Sequence, residues 1–437
     1  MAGPAIRAWR IAEALSREHE VRLVTTLSCD LSPVGFECQS VDPSEFAKAV
    51  GWAEIVIFQG NLMALSPALQ SSEAILVADI YDPFHLEALE QTRELGVDDR
   101  LHICHSSTQV INQQLSRSDY FLCASAKQRD FWLGQLAGVG RINPATYDAS
   151  ENLDSILAIV PFGVDGGVPI KTRSVMRGVI PGIGSDDLIL LWGGGIYNWF
   201  DPLTLLRAVE IAVKEIPAIR LFFLGMKHPN PHVGEMKMAV DARSLAKELG
   251  LTGKYVFFNE DWVPYEERGS YLVESDLAVS THLDHIETEF SFRTRLLDCF
   301  WASLPIVATS GDSLANDIEM FSAGRTVPPG DAVALAAAIV ELGSDANIRA
   351  KAAKASGDLA EVYRWSRVLE PVLDFCRNPR TAPDRANAVI LKTISNPVVP
   401  LPPRVPVFTR SRNAARLIIR GDWGLLKRRF RQHLGKK

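Results

Sequence analysis

Short apolar runs, rich in β-branched residues, recur along the chain with helical periodicity between them. In the first part they are Glu20–Thr25, Glu54–Gln59, Ala74–Ala78, Asp119–Ala124 and Ile156–Val160. In the second they are Leu188–Trp192, Ile219–Leu224, Tyr255–Phe258, Asp276–Ser280 and Pro305–Thr309. Each has the length of a strand. The spacing between them predicts helices, among them Ala5–Arg17, Asp201–Ile216, Glu235–Leu249 and Ser291–Ala302. Strand–helix alternation implies parallel sheets with helices on both faces. The Gly- and Pro-rich stretch Pro161–Asp187 interrupts the alternation, so two β/α domains are expected rather than one continuous sheet.

The beginning of the pattern is unusual. Gly3-Pro4-Ala5 opens an amphipathic helix carrying Ile6, Trp9, Ile11, Ala12 and Leu15, and the strand around Val21–Thr25 follows. A glycine turn before such a helix normally follows a parallel strand, and the first strand of a doubly wound sheet is usually central. None precedes Gly3 here, so a split sheet or an open edge is expected. Either the natural start lies upstream of Met1, with about 10–20 further residues holding one apolar strand and its approach, or the chain is an N-terminally shortened member.

Composition narrows the class. The chain has 437 residues, 47% hydrophobic and 22% charged, the balance of a globular protein rather than a disordered one. No apolar window reaches the roughly 18 residues of a spanning helix, and no signal-peptide pattern opens the chain. The six cysteines are scattered without a C-x-x-C, suggesting neither a zinc site nor a disulfide framework. A reducing, cytoplasmic location is expected.

Charge changes the picture at the C-terminus. The net charge is −6, but residues 404–437 hold 11 Lys/Arg against the single acid Asp422, leaving −16 for residues 1–403. Seven prolines punctuate Asn378–Pro406, which reads as an extended connector. Beyond it, Arg410–Arg420 and Asp422–Leu434 read as two short helices. Trp423, Leu426, Phe430 and Leu434 fall on one face of the second, with Lys427, Arg428, Arg429 and Arg431 around the other side. Such a tail suits an anionic membrane surface. Packing on the acidic body, or nucleic-acid binding, are the competing readings of the same residues.

Four segments carry a family resemblance. Ala2-Gly3-Pro4-Ala5 with Glu18-His19-Glu20-Val21 is similar to the opening glycine loop, helix and strand of the group 1 glycosyltransferases, glycosyltransferase family 4. Val160-Pro161-Phe162-Gly163-Val164-Asp165 resembles that family's interdomain turn. Leu191-Trp192-Gly193-Gly194-Gly195 falls where the family has its first C-domain strand and glycine loop. Glu287 to Asp298, followed by Trp301-Ala302-Ser303-Leu304-Pro305-Ile306-Val307, resembles the E-x7-E donor motif and its tail. The resemblance spans roughly residues 1 to 376. Asp298 stands where the second Glu is usual, Glu289 is the first acid with one extra residue between, and Glu287 is a neighbouring candidate. The Arg and Lys that usually follow the glycine loop are absent, and Arg293 and Arg295 are the nearest replacements.

The resemblance implies an α/β protein of the GT-B fold, two facing Rossmann-like domains with parallel sheets, here with the first strand missing. The expected organisation is an acceptor domain over 1–168, a sugar-nucleotide donor domain over 169–356 and a crossing-back helix over 357–378. A Pro-rich linker over 379–406 and a basic amphipathic tail over 407–437 complete it. The implied activity is transfer of a sugar from a nucleotide-sugar donor, with retention, to a cell-envelope glycan or lipid-linked acceptor. The enzyme would lie at the inner face of the cytoplasmic membrane. A GT-B-type sugar-nucleotide epimerase or hydrolase, and a silent scaffold subunit, are the alternatives.

The residues themselves support a donor site. Gly193, Gly194 and Gly195, between a strand and a helix, allow close approach of backbone N–H groups to a diphosphate, although they also suit a plain tight turn. Gly3 is placed with them by the resemblance. Asp298, flanked by Leu296, Leu297, Phe300 and Trp301, can accept the two ribose hydroxyls, or pair with Arg295 on a helix surface. Glu289 can reach the sugar and stabilise an oxocarbenium-like transition state, or belong to a solvated acidic loop with Asp284, His285 and Glu287. A Glu289/Asp298 acid and nucleophile pair would instead make a hydrolase. Of Arg293 and Arg295, which cannot share one helical face, Arg293 is the preferred phosphate ligand. Asp82 and His85 follow the strand Ala74–Ala78 and suit acceptor binding or proton transfer. Asp82 would serve equally as the N-cap of a helix starting at Pro83. His105 and His282 stand alone. No metal constellation or Asp-x-Asp pair is present, and neither metal nor cofactor is expected.

Overall fold

The computed structural model describes residues 3–29, 31–226, 235–261 and 263–385. The chain forms two parallel β/α lobes. Strands β1 (Arg22–Thr25), β2 (Glu37–Ser40), β3 (Ile55–Gln59), β4 (Ile75–Asp79), β5 (Tyr120–Cys123) and β6 (Leu157–Ile159) make up the first. The second holds β7 (Leu188–Trp192), β8 (Ile219–Phe223), β9 (Val256–Phe258), β10 (Leu277–Ser280), β11 (Ile306–Thr309) and β12 (Gly324–Val327) in one parallel sheet of order β12-β11-β10-β7-β8-β9. Its centre is dry: Leu190, Trp192, Leu221 and Phe223 are fully buried. Burial of a side chain such as Leu190 or Phe223 contributes about 2 kcal/mol.

The first lobe is split. β1 and β2 form a parallel pair, and β3-β4-β5-β6 form a separate sheet, with no ladder between β1 and β3 among the described residues. β5 is wholly buried and β4 nearly so, whereas β1 and most of β3 are only half-buried. The edges of β1 and β3 are therefore incompletely covered among the described residues. Helix α1 (Gly3–Leu15) is anchored by Arg7, whose guanidinium is fully buried. It donates to both oxygens of Asp79 at 2.7 and 2.8 Å and to the carbonyls of Val160 and Pro161 at 2.9 and 3.0 Å. A buried cation this fully paired avoids the penalty of an unmatched charge and joins α1 to β4 and to the interdomain turn.

Two strands escape sequence patterning. β2 reads Glu-Cys-Gln-Ser, mostly exposed, and β12 begins with Gly324 and Arg325, so neither shows an apolar run. The helix expected over Ser291–Ala302 is shorter, Arg295–Trp301, and a separate turn of helix covers Ile286–Phe290. The residues between are not helical, which decides where the two arginines go.

The chain returns to the first lobe after the second. Val164 donates to the Tyr363 carbonyl at 2.8 Å and Trp365 to the Val164 carbonyl at 3.2 Å. A side chain at Gly163 would place Cβ 2.6 Å from the Trp365 ring, so only glycine lets these strands of chain meet. The Glu370–Arg377 helix continues the return, with Phe375 stacked on Tyr120 at 4.1 Å and Arg377 bonded to Glu18 at 2.8 Å. The Pro-rich segment was expected to be an extended connector, but its start is seated on the first lobe. Ala382 and Asp384 are buried, and Asp384 accepts from Arg141 at 2.8 and 3.0 Å. The rest of that segment and the basic tail, residues 386–437, lie outside the described residues. Among those described, no helix is long and apolar enough to cross a membrane.

Candidate functional site

A cavity of about 280 Å³ opens between the lobes. The first lobe supplies Gly3 and Ile6 at the start of α1, and the interdomain turn supplies Phe162 to Val164. The second supplies Gly193–Gly195, Tyr265, Arg268, Arg295 and Asp298. Of the residues singled out in the sequence, the fold therefore gathers Gly3, Gly193, Gly194, Gly195, Arg295 and Asp298 around one space. Gly194 has φ +133°, a backbone conformation that L side chains rarely adopt, so the loop after β7 needs glycine for its shape.

Arg295 lies under this loop. Its Nη2 donates to the Gly195 carbonyl at 2.8 Å, and its guanidinium stacks over Phe200 at 3.8 Å and Trp192 at 5.1 Å. Nη1 is buried without a hydrogen-bond partner. Burial, then the neighbouring Arg293, pull its pKa down to about 9. Among the described residues no carboxylate offsets this charge, so positive potential is focused behind the glycine loop.

Asp298 lines the same cavity one helical turn after Arg295. Arg268 Nε donates to its Oδ1 at 3.0 Å, and the same guanidinium reaches Asp165 of the interdomain turn at 3.5 Å. Arg268 is sandwiched by Tyr265 at 3.5 Å and Trp301 at 4.5 Å, and Arg10 of α1 bonds Asp165 from the other side. Desolvation raises the Asp298 carboxyl above its usual range, with Arg268 acting against it. The alternative pairing of Asp298 with Arg295 does not occur.

The remaining candidates stand away from this cavity. Arg293, the preferred phosphate ligand, is buried in a bidentate pair with Glu287 at 2.7 and 3.0 Å and also donates to Thr288 at 3.2 Å. The cause is the non-helical backbone before Arg295, which sends Arg293 towards the first lobe and Arg295 towards the glycine loop. Asp82 lies next to that pair. Burial, then Glu287, push its carboxyl up to about 6, and burial, then Asp82, push Glu87 up to about 8. Asp82 is not an N-cap, because the helix Phe84–Gln91 is flanked by Pro83 and has no side-chain cap bond. His85 packs against Phe131 at 5.5 Å and Trp132 at 5.7 Å, and burial lowers its pKa to about 4, leaving a neutral ring.

Glu289 is half-exposed on the Ile286–Phe290 helix and pairs with Lys127 of the first lobe at 2.8 Å. Lys127 also donates to the Gly311 carbonyl, and Gln128 to those of Tyr81 and Phe290, each at 2.8 Å. These bonds clasp the lobes beside the cluster of Asp82, Glu87, Glu287 and Arg293. Sequence reasoning did not find Arg268, Lys127 or Gln128. Each lies in a segment without a motif, and each becomes informative only through a partner distant in sequence. His282 is buried 3.6 Å from Asp312, with burial lowering its pKa to about 4. Among the described residues no group of acids, histidines and cysteines could hold a metal ion.

Comparison with known proteins fits this arrangement. Residues 187–345, the lobe that carries the glycine loop and Asp298, match the family model of group 1 glycosyl transferases. The chain is similar to a D-inositol 3-phosphate glycosyltransferase of Saccharomonospora viridis, 21% identical over 297 residues. That match takes in 64% of this chain and 65% of the relative, just under two thirds of its length. In structure it is similar to Anabaena HepE in complex with UDP-glucose, with TM-score 0.64, 12% identity, and coverage of 86% of this chain and 96% of that one. It is also similar to WaaG, a glycosyltransferase involved in lipopolysaccharide biosynthesis, with TM-score 0.59, 16% identity, and coverage of 86% and 97%. Residues 187–345 thus match the group 1 glycosyl transferase family, within a chain that has the GT-B fold.

Proposed function

We propose that this protein transfers a sugar from a nucleotide-sugar donor bound in the cavity between the lobes, with retention of configuration, to a glycan or lipid-linked acceptor of the cell envelope. The observation that carries the reading is Arg295, a half-buried cation with an enclosed Nη1 and, among the described residues, no counter-charge, behind a glycine loop that opens on the cavity. A diphosphate at Gly193–Gly195 supplies the missing negative charge and takes backbone N–H bonds from the loop. Asp298, held by Arg268 through Oδ1, presents its carboxylate to the ribose hydroxyls. Gly3 at the N-terminus of α1 faces the same space from the first lobe and adds the positive end of a helix dipole.

In the transfer, the bond from the anomeric carbon to the diphosphate breaks and the acceptor oxygen bonds that carbon. The acceptor proton leaves with the released nucleoside diphosphate. The cavity concentrates positive charge where the leaving group gains negative charge, so stabilisation grows towards the transition state. Glu289 would contribute at the sugar after giving up Lys127, and Asp82 and His85 at the acceptor. An anionic membrane would be met by residues 407–437. The likeness to UDP-glucose-bound HepE supports the donor class, and the likeness to WaaG supports an envelope acceptor.

The test is turnover of a panel of UDP-, GDP- and dTDP-sugars, read as nucleoside diphosphate release, with the anomeric configuration of product followed by NMR. Release from one donor class with an α-donor giving an α-product supports the reading. No release from any donor, or an inverted product, removes the transferase or the retaining part respectively.

A further inference from the structure

The sequence suggests no disulfide framework, yet the fold brings two cysteines together. Cys29 follows β1 and Cys38 lies in β2, and their Sγ atoms are 2.7 Å apart. Two sulfurs packing without a bond stand farther apart than this, and a covalent bond needs only a further approach of about 0.7 Å. Both residues are half-buried, so a small reagent can reach the pair, whereas Cys123, Cys299 and Cys376 are buried. The pair also sits where a cross-link has structural meaning. β1 and β2 form their own two-stranded sheet, joined by no ladder to β3 among the described residues, and Cys38 lies on one of its two strands.

We propose that Cys29 and Cys38 are a reversible modification site, forming an intramolecular disulfide by exchange with a small-molecule disulfide such as oxidised glutathione. Burial, then the Cys29 sulfur, push the Cys38 thiol up to about 12, so Cys38 stays protonated at neutral pH and the first attack falls to Cys29. The Cys29 sulfur attacks one sulfur of oxidised glutathione, the glutathione S–S bond breaks, and one reduced glutathione leaves with the Cys29 proton. Cys38 then attacks the Cys29 sulfur of the mixed disulfide, and its proton leaves with the second reduced glutathione. Two thiols and one oxidised glutathione become one protein disulfide and two reduced glutathiones. The bond would fix the connection between β1 and β2. That connection carries the exposed Leu31 and Val34, and it ends at Phe36, which packs edge-on against Trp9 of α1 at 5.1 Å. Residues Gly3 and Ile6 of the same helix line the donor cavity.

The experiment uses the full chain, reduced and then equilibrated without denaturant in buffers running from reduced to oxidised glutathione. Free thiols are alkylated and peptides are mapped without reduction. A cross-linked peptide joining Cys29 to Cys38, growing with the oxidised fraction and lost on adding dithiothreitol, is the expected result. Alkylation of both residues in the oxidised buffer overturns the proposal, as do glutathione adducts without the cross-link. In Cys38→Ser the product is expected to stop as a glutathione adduct on Cys29. An unmodified Cys29 in that variant would show that it is not the attacking thiol and also overturns the proposal. Circular dichroism of each sample identifies any that has unfolded, and the wild-type map stands independently of the variant.

Discussion

Arg295 Nη2 donates to the carbonyl oxygen of Gly195 at 2.8 Å, across a separation of 100 residues. The bond places a guanidinium with no counter-charge among the described residues behind the loop that faces the cavity. Arg295→Met keeps the length of the side chain and removes the charge. A half-buried cation with an enclosed, unpartnered Nη1 costs stability, so the free protein is expected to keep or raise its melting temperature. Affinity for a nucleoside diphosphate is expected to fall by about tenfold or more, since a charge-assisted interaction contributes roughly 1.5–3 kcal/mol. Calorimetric titration with UDP and GDP, beside thermal melts, checks both signs. Unchanged affinity would remove Arg295 as the source of phosphate charge.

Asp298 and Arg268 act on one side of the donor. Asp298→Ala is expected to raise the donor KM with a smaller change in kcat, because the ribose is remote from the bond being broken. Arg268→Ala frees the carboxylate that it holds and exposes Tyr265 and Trp301. It is therefore expected to raise the same KM, and the double variant to lose less than the sum of the two. Additive effects would mean that the 3.0 Å bond between them does not position the acid.

Glu289→Ala is expected to lower kcat by about tenfold or more with little effect on donor KM, since a contact to the sugar strengthens as charge develops. Lys127→Met separates the two roles of Glu289. It removes the Lys127 part of the clasp, leaves the Gln128 bond to Phe290, and frees the acid, so it should retain activity that Glu289→Ala loses. Full activity in both variants would retire Glu289 as a sugar contact.

The cluster of Asp82, Glu87, Glu287 and Arg293 gives stability a pH dependence. Desolvation raises half-buried Glu87 to about 8; Asp82 is pushed up to about 6 by the protein around it and by Glu287, but it keeps contact with solvent, which screens its share. The folded state therefore binds these protons more tightly than the unfolded chain. Their contribution is fully present at low pH and is lost as pH rises through about 6 and then about 8. The melting temperature is expected to carry a component that falls between about pH 4 and pH 8, and Glu87→Gln to flatten its upper part. A Glu87→Gln profile parallel to wild type would show that this carboxyl is not held protonated.

The basic segment 407–437 is expected to bind anionic vesicles through its charge, each cation contributing about 1 kcal/mol near the surface. Sedimentation with phosphatidylglycerol liposomes at low and high salt compares the full chain with one ending at Pro406. Pelleting of the full chain alone, reversed by salt, is the expected outcome. Equal pelleting of both chains would place the membrane contact elsewhere.

The sequence by itself determined the two-lobed parallel architecture. Buried parallel strands must be apolar runs and their crossovers must be helical, so β3 to β11 were all legible as pattern. It also marked the glycine loop and Asp298, because a loop that needs φ +133° at Gly194 must spell glycine, and the resemblance fixed where to look. Edge strands β2 and β12 stayed hidden, since an edge with polar or glycine residues carries no apolar run.

Tertiary structure alone decided which charges face the cavity. Arg293 and Arg295 are two residues apart and chemically alike, and only the non-helical turn before the Arg295–Trp301 helix sends one to Glu287 and the other to Gly195. Arg268 became part of the site because Asp165 and Asp298 converge on it from distant segments. The approach of Cys29 to Cys38 likewise follows from the chain folding back after β1, since the strand register itself sets Cys38 beside Leu23. Local pattern records the period and burial of a segment, because these depend on neighbours along the chain. The pairing of charges and thiols depends on neighbours in space, and those are set only when the lobes have packed.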